Sequence, residues 1–77
     1  MALKDLTAFI VKKLADKSDA VSVEESMDGD TTVLSLLVDE NDKGKVIGKQ
    51  GKVIKAIRAV VGAAAQKAGA RAVVEID

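Results

Sequence analysis

At 77 residues, 48% of them hydrophobic and 31% charged, the chain has room for one domain, residues 1–77, with a small core. It holds no cysteine and no histidine, which excludes disulfides, thiol chemistry, most transition-metal sites and imidazole acid–base catalysis. The net charge of zero conceals opposed halves. Residues 1–42 carry four lysines against ten carboxylates, a net of −6, and residues 43–77 carry eight basic residues against two acids, a net of +6.

The opening residues read as a polar-faced helix rather than a signal peptide, and no apolar run reaches the length of a membrane span. A cytoplasmic location without membrane contact is the expectation. From about Lys4 to Lys17, Leu6, Phe9, Ile10 and Leu14 recur at helical spacing, which predicts an amphipathic helix with Phe9 in the core. Ser18-Asp19 interrupts it. Val21 and Val23 alternate with polar residues, Asp28-Gly29 marks a tight turn, and Thr31 to Val38 is rich in β-branched and aliphatic residues. Two such runs around Asp-Gly predict a β-hairpin, with Leu34, Leu36 and Val38 on its buried face.

Asp39-Glu40-Asn41-Asp42 reads as a solvated acidic turn, in which Asn41 or Asp42 caps a short helix running through Ile47. Gly48 to Gly51 breaks that helix. A longer one follows from about Lys52 to Lys67, with Val53, Ile54, Ile57, Val60, Val61, Ala64 and Ala65 on one broad face and Gly69 as its stop. Arg71 to Asp77 alternates again, with Ala72, Val74 and Ile76 on one face. The predicted fold class is α+β in the order α-β-β-α-α-β, a three-stranded sheet covered on one face by three helices.

The most informative run is Val46-Ile47-Gly48-Lys49-Gln50-Gly51-Lys52-Val53-Ile54. Two glycines three apart bracket two long polar side chains. A glycine turn feeding a helix N-terminus suits a phosphodiester, because amide N–H groups point outward and the helix dipole favours negative charge. Six basic residues and no acid lie between Lys43 and Arg58. Three other site types fail here. A P-loop ending at Gly51-Lys52 requires glycine where Val46 stands and Ser or Thr where Val53 stands. A dinucleotide fingerprint ending at Gly51 fails at the same Val46. A calcium loop beginning at Asp39 lacks ligands at Lys43 and Gln50. No cofactor and no metal site is expected, and no spacing pairs a nucleophile with a base, so an enzyme is not expected.

What remains is a G-x-x-G between two helices, preceded by an aliphatic pair and a hairpin and followed by aliphatics and a strand. Over essentially all 77 residues this order resembles the KH domain, in the type II arrangement found in bacteria. The resemblance implies single-stranded RNA held through the G-x-x-G loop, which clamps about four backbone nucleotides with bases over a shallow aliphatic groove. That fits a chain with no Trp or Tyr and one Phe, since folds that stack bases on aromatic platforms are beyond its composition.

Under this reading Gly48 and Gly51 let phosphates approach, and Lys49 and Gln50 contact phosphate and sugar. Lys45, Lys52, Lys55 and Arg58 set the surrounding field. Ile47, like Ile54, holds the loop by packing, and one of them touches a base. Single-stranded DNA is not separated from RNA by sequence. The small residues Ala56, Ala59, Gly62 and Ala63 lie outside the main core stripe and form a candidate dimer face, with an ordinary alanine-rich helix as the alternative. The resemblance further implies a homodimer or a larger KH-containing partner. Two functions follow: an RNA-binding, RNA-chaperone or post-transcriptional module, or a protein-interaction adaptor whose partner supplies the RNA contacts.

Overall fold

In the computed structural model, which describes residues 2–76, three helices and three strands follow in the predicted order. Helix α1 spans Leu3–Leu14, strands β1 and β2 span Ser22–Asp28 and Thr31–Leu37, helices α2 and α3 span Lys43–Ile47 and Lys52–Lys67, and strand β3 spans Arg71–Ile76. Asp77, the last residue of the expected final strand, lies outside the described residues. Short 3-10 turns at Ser18–Ala20, Glu40–Asp42 and Lys49–Gly51 join these elements.

The two residues Gly29 and Asp30 connect β1 to β2 in antiparallel register, with Ser22 opposite Leu37 and Asp28 opposite Thr31. On the other side of β2, β3 pairs in parallel, with Thr31 opposite Arg71 and Leu36 opposite Ile76. A parallel neighbour cannot be reached by a tight turn and needs a crossover. Helices α2 and α3 supply it, so the G-x-x-G segment sits inside the connection from the central strand to an edge.

Alternation then assigns the two sheet faces. Val23, Leu34, Leu36 and Val74 are buried, with Ala72, Ile76 and Val38 packed partly against them. Val33, Ser35, Val73 and Glu75 occupy the opposite face and are half-buried or exposed. Helix α1 lies on β1 and β2, α3 lies on β3, and α2 packs against α1 and α3. From the helical side Val11, Val46, Ile54, Ile57 and Val61 close the core.

Three expectations need correction. Phe9 is not a core residue: it is 56% exposed, and the Lys13 ammonium lies 5.3 Å from its ring centre. The deepest stripe of α1 is instead Leu3, Thr7 and Val11, spaced by four, with Leu6 and Ile10 at its margin. Thr7 reads as polar, yet its hydroxyl donates to the Leu3 carbonyl at 2.8 Å, and satisfied in this way it buries completely. Leu14 and Val60 are likewise 39% and 51% exposed, on the facing sides of α1 and α3. The acidic turn is not wholly solvated either, because Asp42 is only 1% exposed.

Candidate nucleic-acid interface

Asp39, rather than Asn41 or Asp42, is the residue whose side chain caps the turn before α2; its carboxylate accepts the Asn41 N–H at 2.9 Å. Asp42 turns inward. Its two oxygens accept the backbone N–H groups of Asp16, at 3.2 Å, and Lys17, at 3.0 Å. The bond from Lys17 is the main reason its carboxyl lies below the usual carboxylate range. Burial opposes that shift, while the Asp16 N–H and the charges of Lys45 and Lys17 add to it. This contact pins the segment after α1 against the start of α2. Sequence reading missed it, although a signal existed: Asp42 stands four residues before Val46, on the helix face that Val46 buries.

Helix α2 ends where the Gly48 N–H donates to the Gly44 carbonyl at 2.8 Å. Gly48 then takes φ +78° and ψ 170°, a region closed to side-chain-bearing residues. The space beside it is also taken. A Cβ on Gly48 would stand 2.4 Å from Val53 Cγ2 and 2.8 Å from the Val53 amide nitrogen. Gln50 (φ +58°) and Gly51 (φ +73°) both adopt left-handed geometry. Gln50 is the sole non-glycine residue at positive φ among the described residues. A Cβ on Gly51 would meet only Ile54 Cγ2, at 3.9 Å. The two glycines therefore differ: Gly48 makes room for the chain itself, and Gly51 makes the turn.

The turn delivers the chain into α3 with no side-chain cap at Gly51 and no acid in the first helical turn. The Lys52 N–H is taken by the Lys49 carbonyl, while no side chain caps the helix and no acid offsets the positive end of its dipole. Lys49 and Gln50 project from the loop into solvent, and Lys52 and Lys55 are exposed on the following turn. Lys49, Lys52 and Lys55 form no ion pair with a described residue. Ile47 is half-buried and packs against the core. The structure does not bring all the expected cations to the loop as free charges. Lys45 is paired with the Asp16 carboxylate, and that bond chiefly holds its ammonium above the ordinary lysine value. Arg58 Nε donates to the Val74 carbonyl at 3.0 Å, so its guanidinium is on the β3 flank of α3.

Ala56, Ala59 and Ala63 are exposed and Gly62 is half-buried. Ala56 also lines an apolar groove of about 360 Å³, with Ile10, Leu14, Val53, Ile57 and Val60, which begins at Lys52 beside the loop. Among the described residues no cluster of carboxylates could hold a metal, and no helix is long and apolar enough to cross a membrane.

Comparison with known proteins places this geometry. A family model described as "KhpA/KhpB, KH domain" matches residues 4–76. The RNA-binding protein KhpA of Clostridium perfringens is 49% identical over 74 residues, 96% of this chain and 99% of the relative. That of Aquifex aeolicus is 44% identical over 75 residues, 97% of this chain and 95% of the relative. A crystal structure of Aquifex aeolicus Era, bound to GDP and aluminium fluoride, superposes on 99% of this chain with a TM-score of 0.57. The identity is 20% and the match spans 31% of that protein, so it speaks to the fold alone. By sequence over nearly its whole length, and by the type II order of its helices and strands, the chain belongs to the KhpA/KhpB family of KH domains, which are not enzymes.

Proposed function

We propose that the chain binds single-stranded RNA without catalysis, through the segment Gly48–Gly51 and the first turn of α3. One observation carries this reading. The loop stores a strained left-handed Gln50 beside an uncapped helix N-terminus, and it presents Lys49 and Gln50 to solvent there. Strain of this kind persists where surrounding structure enforces it, and it concentrates at binding sites. Phosphates meet the positive end of α3 and the ammonium groups of Lys49, Lys52 and Lys55. Gly51 leaves the backbone open to close approach. Bases lie over aliphatic surface beside the loop. The printed names of the relatives, RNA-binding proteins, support the same ligand. Such a site, poor in aromatics, favours backbone contacts over base discrimination and suits an RNA chaperone or post-transcriptional adaptor.

The test is binding of labelled single-stranded RNA by the wild type and by a Lys49→Asp, Gln50→Asp double variant at several salt concentrations. Neutralising three or four phosphates gives a slope of log affinity on log salt of roughly −2 to −3. Circular dichroism checks the variant's fold. Loss of binding in a folded variant is expected; retained binding refutes the assignment. DNA of the same sequence, run alongside, decides whether the 2′-hydroxyl matters.

A second reading rests on the apolar groove and on Val60, 51% exposed at its edge. Together with Ala56, Ala59 and Ala63 it offers a face on which a second copy, or a larger KH-containing protein, packs closely, whereas Gly62 lies on the other side of α3 beside Arg71 and Ala72. A Val60→Glu variant that sediments as a smaller species than wild type supports it; identical sedimentation at the same concentration removes it.

A further inference from the structure

The lysines of the basic run divide at Gly48. Those before it are each matched by a carboxylate: Lys43 with Glu40 at 3.3 Å, and Lys45 with Asp16. Those after it, Lys49, Lys52 and Lys55, are matched by none among the described residues. Asp16 differs from an ordinary surface acid. Its own backbone N–H is held by the buried Asp42 carboxylate, and so is that of Lys17. The segment carrying Asp16 is thereby fixed beside α2, and its carboxylate stands ready for an ammonium three residues ahead of the loop. The Lys45–Asp16 pair is itself wet, with side chains 51% and 73% exposed. Exposed pairs are weak and exchange readily for another anion.

We propose that Asp16 is a built-in competitor for RNA phosphate: it holds Lys45 in the free protein and surrenders it to the backbone of bound RNA. This rests on the RNA-binding reading above and names a positioning residue that acts through Lys45. Asp16 lowers affinity, because the Lys45–Asp16 pair has to open before Lys45 meets a phosphate, and so keeps the module a weak and reversible binder. The rest of the cluster stays in place during the exchange. Asp42 keeps its two backbone donors, and the Lys17 ammonium has its own partner in Asp39, at 3.6 Å.

The experiment is a double-mutant cycle on Asp16→Asn and Lys45→Ala, read by anisotropy of a fluorescein-labelled oligouridylate across a salt series. Asparagine keeps the backbone N–H that Asp42 accepts, so the fold is retained. Asp16→Asn should tighten binding about three-fold at low salt, the scale of one freed surface cation. The salt slope should change by less than about 0.7, the increment for one further phosphate on a single strand, because Lys45 meets a phosphate in both complexes. In the Lys45→Ala background the same change should give less than about half that gain, because no ammonium is released. Equal gains in both backgrounds would mean a general field effect and overturn the proposal, as would no gain in either. The Lys49→Asp, Gln50→Asp variant runs in the same assay. If it binds like wild type, or wild type does not bind, the loop reading and this proposal fall together. If it loses binding while Asp16→Asn matches wild type, only the role of Asp16 falls.

Discussion

Alanine at Gly48 should cost the domain about two to four times what alanine costs at Gly51, three residues on. At Gly48 two penalties combine. Its φ of +78° with ψ of 170° excludes a Cβ on backbone grounds, at about 1–3 kcal/mol. The new methyl would also overlap Val53, at 2.4 Å from Cγ2 and 2.8 Å from the amide nitrogen. Overpacking adds about 1–3 kcal/mol, and the amide cannot step aside as a rotamer does. A total near 4 kcal/mol is a large part of the roughly 4–12 kcal/mol available to a chain of this size. At Gly51 only left-handed strain applies, about 1–2 kcal/mol, since the nearest atom would be 3.9 Å away. Urea unfolding followed by circular dichroism reads both, with midpoints compared at equal slope. Adding Val53→Ala to Gly48→Ala removes the Cγ2 overlap but leaves the amide and the φ, so rescue should be partial. Equal costs at the two glycines, or full rescue by Val53→Ala, would refute the reasoning.

Other expectations are as direct. Gln50→Gly should leave stability unchanged or raise it by up to about 1 kcal/mol, as relief of left-handed strain outweighs added chain entropy, while weakening RNA binding; urea midpoints and anisotropy check both. Phe9→Ala should cost under about 1 kcal/mol, against about 3–5 kcal/mol for a buried phenylalanine, and thermal unfolding separates the two. The carboxyl of Asp42 is held below its ordinary value, so its contribution is complete at neutral pH and is lost as the pH falls through the depressed value. Asp42→Asn should lower the urea midpoint at neutral pH and flatten the loss of stability on acidification below about pH 4, which a pH series of urea titrations measures.

The strands were legible because alternation is hard to counterfeit. Leu34 and Leu36 could share only one face, and Asp28-Gly29 could hardly be anything but a turn. The glycine pair was legible for a similar reason, since two glycines between aliphatic runs have few uses. Helix faces were harder. Thr7 buries because its hydroxyl is satisfied by its own helix, so a hydropathy pattern places the buried stripe about one residue away from where it lies. Asp42, Lys45 and Arg58 were readable as charges but not as partners. Their contacts, with residues 16, 17 and 74, reach across 16 to 29 positions of sequence. The left-handed Gln50 has no composition signal at all, because glutamine is not a residue that favours that geometry.

Strand β3 pairs with a partner forty residues behind it, Arg71 beside Thr31, and the loop lies in the connection between them. The loop rests on α3, and α3 in turn rests on that last strand, whose Val74 is buried in the core. Until β3 pairs with β2, α3 has no finished sheet to rest on. Pairing over so long a separation is also among the slower steps available to a small domain. The loop therefore gains its full support only when the distant strand docks.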